Sequence, residues 1–342
     1  MAGDLPRDLK GRIAAMLDGV SRTALAARAA RLSEAYRAGD TSAAAVADNL
    51  DVLAYLVTRM PATFAAAAAV LDQFRLAAPA FAPTSLLDVG AGPGTASFAA
   101  VAAWPEIASV TMIDASGRFI NTAGVLTAAS GHAALAGSRR ILADAARFGR
   151  DLPEADLVVA NYVLAEAKAT DAFVAALWRA STAALVLVEP GTPAGFARIR
   201  EARAGLIAEG ASIAAPCPHA FTCPIVAPDW CHFSERLARS RDHRLAKAAD
   251  LPFEDEKYSY VVAARPTVEL SGYVARILAA PRSSKAGLTL KLCRQDGTIA
   301  ERTVPRRDRA AHAALRRARW GDQIDQSGSQ GPESDSKTSG SG

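Results

Sequence analysis

Three things are scarce in this sequence of 342 residues: cysteine, aromatic residues and uninterrupted apolar stretches. No apolar run is both long enough and free enough of charge to predict a transmembrane helix, so we expect no membrane partner. The first residues lack the basic, apolar and small-residue order of a secretory signal, which predicts a cytoplasmic protein. With only four cysteines and that location, disulfide bonds are not expected either.

Positive charge is concentrated toward the C-terminus, although the whole chain carries a net charge of only +4. Residues 231–320 contain 19 Lys and Arg against 10 Asp and Glu. The last arginines of this stretch are Arg302, Arg306, Arg307, Arg309, Arg316, Arg317 and Arg319. Their clustering predicts contact with a polyanion such as the phosphate backbone of RNA, and a solvated basic surface is the alternative.

The composition divides the chain into three parts. Residues 1–80 show helical periodicity, including one predicted helix over 42–59, and form an N-terminal helical region. Residues 81–322 alternate short apolar strands with helical stretches, which predicts a doubly wound α/β domain with a cysteine-rich insertion at about 210–245 and a basic C-terminal end. Residues 323–342 are rich in Gly, Ser and polar residues and are predicted to be disordered.

A glycine-rich turn stands between the first predicted strand and an Ala-rich helix. Gly90, Gly92 and Gly94 suit such a turn because glycine accepts positive φ and lets a ligand approach the backbone. A strand, a glycine turn and a helix N-terminus predict a nucleotide-type ligand at the carboxyl end of the sheet, with a ligand-free turn as the alternative. The G-x-G-x-G spacing, with Asp88 two residues before it, resembles the first motif of class I S-adenosylmethionine (SAM)-dependent methyltransferases. The resemblance implies that Asp88 and the three glycines hold SAM.

Polar residues end the next three predicted strands. Asp114 lies 24 positions after Gly90, where a carboxylate accepts hydrogen bonds from ribose hydroxyls; capping of the next helix together with Ser116 is the alternative. The methyltransferase resemblance implies that Asp144 faces the adenine amino group and that Asn161 lies at the strand end facing the methyl group. Neither the proline-rich motif of amino-group methylases nor a nucleophilic cysteine occurs there, so no catalytic residue is predicted.

All four cysteines lie in the C-terminal half, at Cys217, Cys223, Cys231 and Cys293. Four thiolates with none left over suit a tetrathiolate metal site. Zinc sites usually pair their ligands as C-x2-4-C, so the wider spacing here favours an iron–sulfur cluster, with zinc and unligated cysteines as alternatives. Because Cys293 ends a predicted strand, we expect a sheet edge to bring it to the other three cysteines.

The segments around these cysteines resemble one known family. They are similar to small-ribosomal-subunit-associated methyltransferase-like proteins, which are known in mitochondria and have bacterial relatives. The similar segments are Pro216–His219, Cys223-Pro224, Asp229–Phe233, Val188–Gly195, Glu254–Tyr260 and Arg319–Asp322. The resemblance spans about residues 80–322. It implies a class I SAM-methyltransferase-like fold, a 4Fe-4S cluster on the four cysteines, and action on small-subunit ribosomal RNA or the assembling small subunit.

We expect a monomer. Two alternative functions stay open at this stage: an active SAM-dependent rRNA methyltransferase, and a zinc-binding assembly scaffold without catalytic activity.

Overall fold

Helices formed by the N-terminal residues cover one face of a central β-sheet. The structure is a computed structural model, and it describes residues 3–38, 41–144, 152–167, 169–247 and 249–325. The first helices are α1 (Arg7–Met16), α2 (Arg22–Ala38), α3 (Ser42–Ala45), α4 (Asn49–Thr58) and α5 (Met60–Ala77). Their buried side chains, such as Leu9, Leu25 and Phe64, belong to the same apolar core as the sheet.

The single helix predicted over 42–59 is wrong, because α3 ends at Ala45 and α4 begins at Asn49. The Asp48 carboxylate accepts a hydrogen bond from the Asp51 N–H at 3.0 Å, and the Asp51 carboxylate accepts one from the Asp48 N–H at 3.1 Å. This capping box starts a new helix within a continuous apolar pattern, where periodicity alone gives no sign of a break. In the described ranges no single helix is long and apolar enough to cross a membrane. Taken together, α4 and α5 would be long and apolar enough by length and composition only, and they are bent by 48° relative to each other.

The central sheet has eight strands. They are β1 (Ser85–Val89), β2 (Ser109–Asp114), β3 (Arg139–Leu142), β4 (Ala155–Asn161), β5 (Ser181–Pro190), β6 (Ser212–Ala215), β7 (Phe233–Ala238) and β8 (Phe253–Ala264). Their order is β3-β2-β1-β4-β5-β8-β6, with β7 also paired to β8. The first five strands are parallel, and β8 runs antiparallel to β5.

Helices cover both faces of this sheet. Along β1, Leu86 packs into the core beneath the N-terminal helices, whereas Leu87 and Val89 pack into a second core on the opposite face. Residues buried on both sides are typical of parallel strands. The remaining helices of this domain are α6 (Thr95–Ala103), α7 (Gly117–Thr127), α8 (Ala133–Ala136), α9 (Thr170–Ala180), α10 (Pro193–Ala208) and α11 (Arg241–Ala246). The predicted α/β architecture with a parallel-dominated sheet is therefore confirmed.

The basic C-terminal end forms a second sheet with its own small core. Its elements are β9 (Ala275–Ile277), β10 (Arg282–Ser283), β11 (Gly287–Arg294), β12 (Ile299–Pro305), α12 (Arg309–Leu315) and β13 (Gln323–Ile324). The strand order is β10-β11-β9-β13, and β12 pairs with β11, so that Cys293 lies opposite Ile299. The core contains Ile277, Leu290 and Leu315. The residues Gln295-Asp296-Gly297-Thr298 predict a turn between two strands, and the β11–β12 hairpin confirms that prediction.

Two predicted boundaries change. The tail predicted to be disordered from residue 323 starts with two residues, Gln323 and Ile324, that instead pair with β9. The rest of that predicted tail, residues 326–342, lies outside the described residues. The segment 210–245, predicted as an insertion, supplies β6 and β7 to the central sheet, with the loop 216–232 between them. Both strands pair with successive parts of β8, which is long enough to serve two neighbours on one edge.

Two candidate sites: a glycine loop and a cysteine cavity

The three loop glycines all have positive φ, with values of 70° for Gly90, 56° for Gly92 and 88° for Gly94. A Cβ at Gly90 would lie 2.7 Å from Val163 Cγ2, and one at Gly94 would lie 3.3 Å from Met112 Cε. A Cβ at Gly92 would meet no atom within 4 Å. Gly90 is therefore required by the packing of the protein itself. At Gly94 a Cβ would contact only the flexible end of Met112, and Gly92 borders open space that a ligand can use.

Two buried carboxylates hold this loop in place. Asp88 Oδ2 accepts hydrogen bonds from Ser97 N at 3.0 Å and Ser97 Oγ at 2.7 Å, which fixes α6 to the end of β1. Asp114 Oδ2 accepts from Gly92 N at 2.7 Å, and Asp114 Oδ1 accepts from Ser116 N at the same distance. Burial raises the pKa of Asp88 to about 7 and also raises the pKa of Asp114. The loop is thus tied to β2 through the residue predicted to bind ribose, and the predicted cap partner Ser116 takes part in the same contact.

Unpaired polar atoms lie beside the loop. Among the residues that the structure describes, Thr95 Oγ1 and Asn161 Oδ1 are buried without a hydrogen-bond partner. Thr95 begins α6 and Asn161 ends β4, so both lie where the parallel strands end. Buried polar atoms are normally paired, and an orphan therefore indicates a missing partner such as a ligand or water. Asp144, which follows β3, is exposed. This donor and acceptor set fits a small polar ligand with hydroxyl and amino groups, as SAM is.

The four cysteines line one cavity between the central sheet and the second sheet. Cys217, Cys223 and Cys231 come from the loop 216–232, and Cys293 comes from β11. The cavity has a volume of about 30 Å³. Its position explains why Cys293 meets three cysteines more than sixty residues earlier: β11 carries it to the edge where the loop lies.

Side chains from both sheets close this cavity. Phe196 of α10, Ile225 of the loop and Leu278 after β9 pack around Cys293. His219 Nε2 lies 3.4 Å from Cys293 Sγ. Trp230 Nε1 donates to the carbonyl oxygen of Gly191 at 3.0 Å, which joins the loop to the residue that directly follows β5. Cys293 is therefore buried in a largely apolar environment, whereas Cys217, Cys223 and Cys231 are partly exposed.

Two buried arginines face the same cavity. Arg203 of α10 is 5% exposed and Arg276 of β9 is fully buried. Burial raises the pKa of Cys217 and Cys231, and it raises the pKa of Cys293 to about 12; the positive charges of the arginines act in the opposite direction on each thiol. Neither arginine was predicted from the sequence as part of a site. The signal that was available is Arg276 itself, a charged residue between the apolar residues of a short strand.

The cysteine geometry bears on the kind of metal group. Within the described ranges, no three His, Cys, Asp or Glu side chains are arranged to hold a single metal ion. A zinc ion needs four ligands at about 2.3 Å from one point. An iron–sulfur cluster has several irons, each of which takes its own thiolate, and it accepts sulfur atoms that stand further apart. The four thiols line one cavity, and within the described ranges they do not form the ligand set that a single zinc ion needs.

The fold and the glycine loop define a methyltransferase-like α/β protein, extended by a second sheet. A family model described as mitochondrial small ribosomal subunit Rsm22 matches residues 49–325, and the chain belongs to this Rsm22 family. The resemblance inferred from the sequence motifs is thereby confirmed. The human protein named ribosome assembly protein METTL17, mitochondrial, is 29% identical over 295 residues. That alignment covers 79% of this chain and 61% of the human protein, so the chain spans about three fifths of this relative's length.

Solved methyltransferase structures share the general architecture. A putative RNA methyltransferase from Pyrococcus horikoshii has a TM-score of 0.38 and 12% identity, covering 59% of this chain and 84% of its own. Magnesium protoporphyrin IX methyltransferase from Synechocystis PCC 6803 has a TM-score of 0.36 and 15% identity, covering 61% and 84%.

Proposed function

We propose that this protein is a cytoplasmic, monomeric assembly factor that binds the RNA of the maturing small ribosomal subunit, with SAM at the glycine loop and a 4Fe-4S cluster on the four cysteines. Membership of the Rsm22 family supports the ribosomal role. The observation that carries the proposal is the meeting of four distant cysteines at the junction between the α/β domain and the basic second sheet. A metal group at that junction links the two parts of the molecule.

The proposed SAM site uses the carboxyl ends of neighbouring strands. The open space beside Gly92 receives the ligand, with Gly90 and Gly94 shaping the turn. Asp114 receives ribose hydroxyls, Asp144 lies at the adenine end, and the unpaired Asn161 Oδ1 accepts from the ligand's amino group. Asp88 supports the loop from beneath. Bound SAM supplies an electrophilic methyl group.

The proposed cluster is held by Cys217, Cys223, Cys231 and Cys293, and when bound it supplies a covalent cross-link and one-electron redox chemistry. Iron and sulfide analysis after anaerobic purification tests it. We expect about four irons and four sulfides per chain and a brown colour, as for a cluster of this type. A colourless protein with stoichiometric zinc would contradict the cluster and support the alternative of a zinc-binding assembly scaffold.

The proposed RNA surface is the second sheet and α12. All seven arginines of the C-terminal cluster are exposed. Arginines at this density neutralise phosphates and release counterions, so we expect the affinity for small-subunit RNA to fall steeply as salt rises. The variant Arg316→Gln/Arg317→Gln is expected to reduce the salt slope by about 1 to 2, as each lost phosphate contact does by about 1.

The matched control is Arg7→Gln/Arg12→Gln, which removes the same charge from two exposed positions on α1. It is expected to leave the slope nearly unchanged. An affinity of the wild-type protein that does not respond to salt, or equal slopes for both double variants, would contradict binding through the C-terminal arginines.

A second function, methyl transfer to rRNA, is favoured by one observation at the end of β4. Tyr162 has φ of 58°, a strained value for a residue with a side chain, and its hydroxyl donates to Glu256 Oε1 at 3.0 Å. Such strain is often found at functional sites. Labelled SAM added to small-subunit assembly intermediates tests it. Transfer that is lost in Asp114→Ala supports an active enzyme, and the absence of transfer to any intermediate restricts the protein to the binding role.

A further inference from the structure

Two positive charges are buried at the cysteine cavity without negative partners. Arg203 and Arg276 both line it, and neither forms an ion pair with Asp or Glu within the described ranges. The groups that act on the Arg276 charge include Tyr273, Tyr260 and Cys217. Burying an unpaired charge costs several kcal/mol, so buried charges in proteins are normally paired or coordinated. When all four cysteines are protonated, the cavity therefore contains no negative charge to balance the two arginines.

Neutral carbonyl groups accept hydrogen bonds from much of the donor capacity of these arginines, but they do not neutralise the positive charges. Arg203 donates to the carbonyl oxygens of His219 at 2.6 Å and Phe221 at 3.0 Å, between the first two cysteines. Arg276 Nε donates to the Pro216 carbonyl oxygen at 2.8 Å, directly before Cys217. Arg203 Nε is buried without a hydrogen-bond partner among the described residues. That unpaired donor, next to the cavity, indicates an acceptor that is still missing.

We infer that Arg203 and Arg276 are the buried counter-ions of a metal–thiolate centre in this cavity. The inference rests on the proposed function, because it takes the four cysteines to be metal ligands. A four-iron cluster with four thiolates carries a charge of about −2 in its oxidised form, and two guanidinium groups balance that charge. Reduction adds one electron and makes the centre more negative. The arginines therefore stabilise the reduced form more than the oxidised form and raise the reduction potential.

Arg276 also joins the cavity to the rest of the molecule. Its Nη1 atom donates to Gln73 Oε1 of α5 and, at 2.6 Å, to the carbonyl oxygen of Gly321 near the C-terminal end. Its Nη2 atom donates to the Tyr273 hydroxyl at 2.8 Å. One side chain thus contacts the N-terminal helices, the cysteine loop and the second sheet. Replacing it changes packing as well as charge, so Arg203 is the better position for a test of charge alone.

The test compares charge removal at two arginines of α10. Arg203→Gln removes the buried charge, and Arg203→Lys keeps the charge while losing the planar donor group. The control Arg200→Gln removes the same charge one turn earlier on α10. Arg200 also lines the cavity, but its side chain is exposed, so water screens its charge. Each anaerobically purified protein is first analysed for iron, sulfide and zinc. It is then reduced in steps at controlled potential and followed by optical and electron paramagnetic resonance spectra.

We expect the ratio of reduced to oxidised cluster in Arg203→Gln to be at least tenfold lower at the wild-type midpoint, which equals 59 mV for one electron. Arg203→Lys should recover most of this shift, and Arg200→Gln should change the ratio less than twofold. Equal midpoints for Arg203→Gln and Arg200→Gln, with iron content at the wild-type level, would overturn the counter-ion role and leave the proposed cluster intact.

The metal content of the wild-type protein separates the remaining outcomes. Stoichiometric zinc in the wild-type protein would contradict the proposed cluster. The role of the arginines is then tested by the rate of zinc release to a chelator, since a zinc tetrathiolate also carries about two negative charges. Faster release from Arg203→Gln than from Arg200→Gln supports the counter-ion role, and equal rates overturn it. A wild-type protein that holds no metal overturns both proposals. Arg276→Gln serves as the second variant if Arg203→Gln does not fold.

Discussion

The glycine loop and the cysteine cavity balance their buried charges in opposite ways. At the glycine loop, the buried carboxylates of Asp88 and Asp114 accept hydrogen bonds from the protein's own N–H and hydroxyl groups. At the cavity, Arg203 and Arg276 are buried beside thiols whose pKa values are raised by burial. The buried carboxylates of the first site are hydrogen-bonded by the protein itself, whereas the buried guanidinium groups of the second have no Asp or Glu partner among the described residues.

The difference predicts how each ligand affects the protein. A ligand at the glycine loop adds contacts to a structure that is already formed, so its loss costs only its own binding free energy. The proposed metal group at the cavity would supply negative charge beside two buried arginines, so its loss would also leave their charges unpaired. Metal removal should therefore destabilise the protein much more than SAM removal does. Three experiments test this contrast.

The largest effect is expected for Cys293→Ser. This substitution removes the one cysteine, of the four proposed as metal ligands, that the second sheet contributes. We expect the free energy of unfolding to fall by about 3–5 kcal/mol, as when one partner of a buried charge pair is removed. Urea denaturation under anaerobic conditions measures it.

Metal-free wild-type protein is the control for this variant. Stripped of metal, the wild-type chain should be about as unstable as Cys293→Ser, because both lack the same centre. A variant that unfolds at the same urea concentration as the untreated wild-type protein would show that the cavity does not depend on a metal group.

The two sites also differ in how far the sequence reveals them. The turn Gly90–Gly94 and the acids Asp88 and Asp114 lie within thirty residues and follow strand ends, so local pattern predicts their positions. The strand before this turn, the helix Thr95–Ala103 and the hairpin turn after Cys293 are predictable for the same reason. Local signals are reliable where one short segment determines the structure.

The cavity depends on contacts that no local pattern encodes. The cysteines themselves were identified by their number, but Arg203 and Arg276 reach them from a helix and from a separate sheet. The second sheet was not predicted as a separate unit, because its strands are short and β13 lies in a polar segment. The break at Asp48 was missed for a related reason, since side-chain capping overrides continuous helical periodicity.

A smaller effect is expected in the pH dependence of stability at the glycine loop. Burial raises the pKa of Asp88 to about 7, above its value of about 3.9 in an unfolded chain. Between these values the folded protein binds more protons than the unfolded one, so the free energy of unfolding falls as pH rises from about 4 to about 7. Asp88→Asn keeps an acceptor for Ser97 and should remove this fall, changing the difference between pH 5 and pH 8 by about 2 kcal/mol.

Asp156 is the matched control for that slope. Although burial acts to raise its pKa, hydrogen bonds from Thr84 and Ser85 lower it overall. Its contribution is therefore complete above about pH 4 and is lost only as pH falls further. Asp156→Asn should leave the difference between pH 5 and pH 8 unchanged, and an equal effect of both variants would remove Asp88 as the source of the slope.

The smallest effect on stability is expected for Gly92→Ala, and it separates ligand binding from folding within one loop. Alanine at φ of 56° costs about 1 kcal/mol, and its methyl group meets no atom of the protein within 4 Å. Gly90→Ala adds a contact of 2.7 Å with Val163 to a similar backbone cost, so it should be the less stable of the two. If SAM occupies the space beside Gly92, the added methyl group should weaken SAM binding about tenfold, or about 1.4 kcal/mol, by calorimetry. If Gly92→Ala binds SAM with the wild-type affinity, the proposed position of SAM beside this loop is contradicted, because no other consequence of the substitution compensates for a methyl group in the ligand's space.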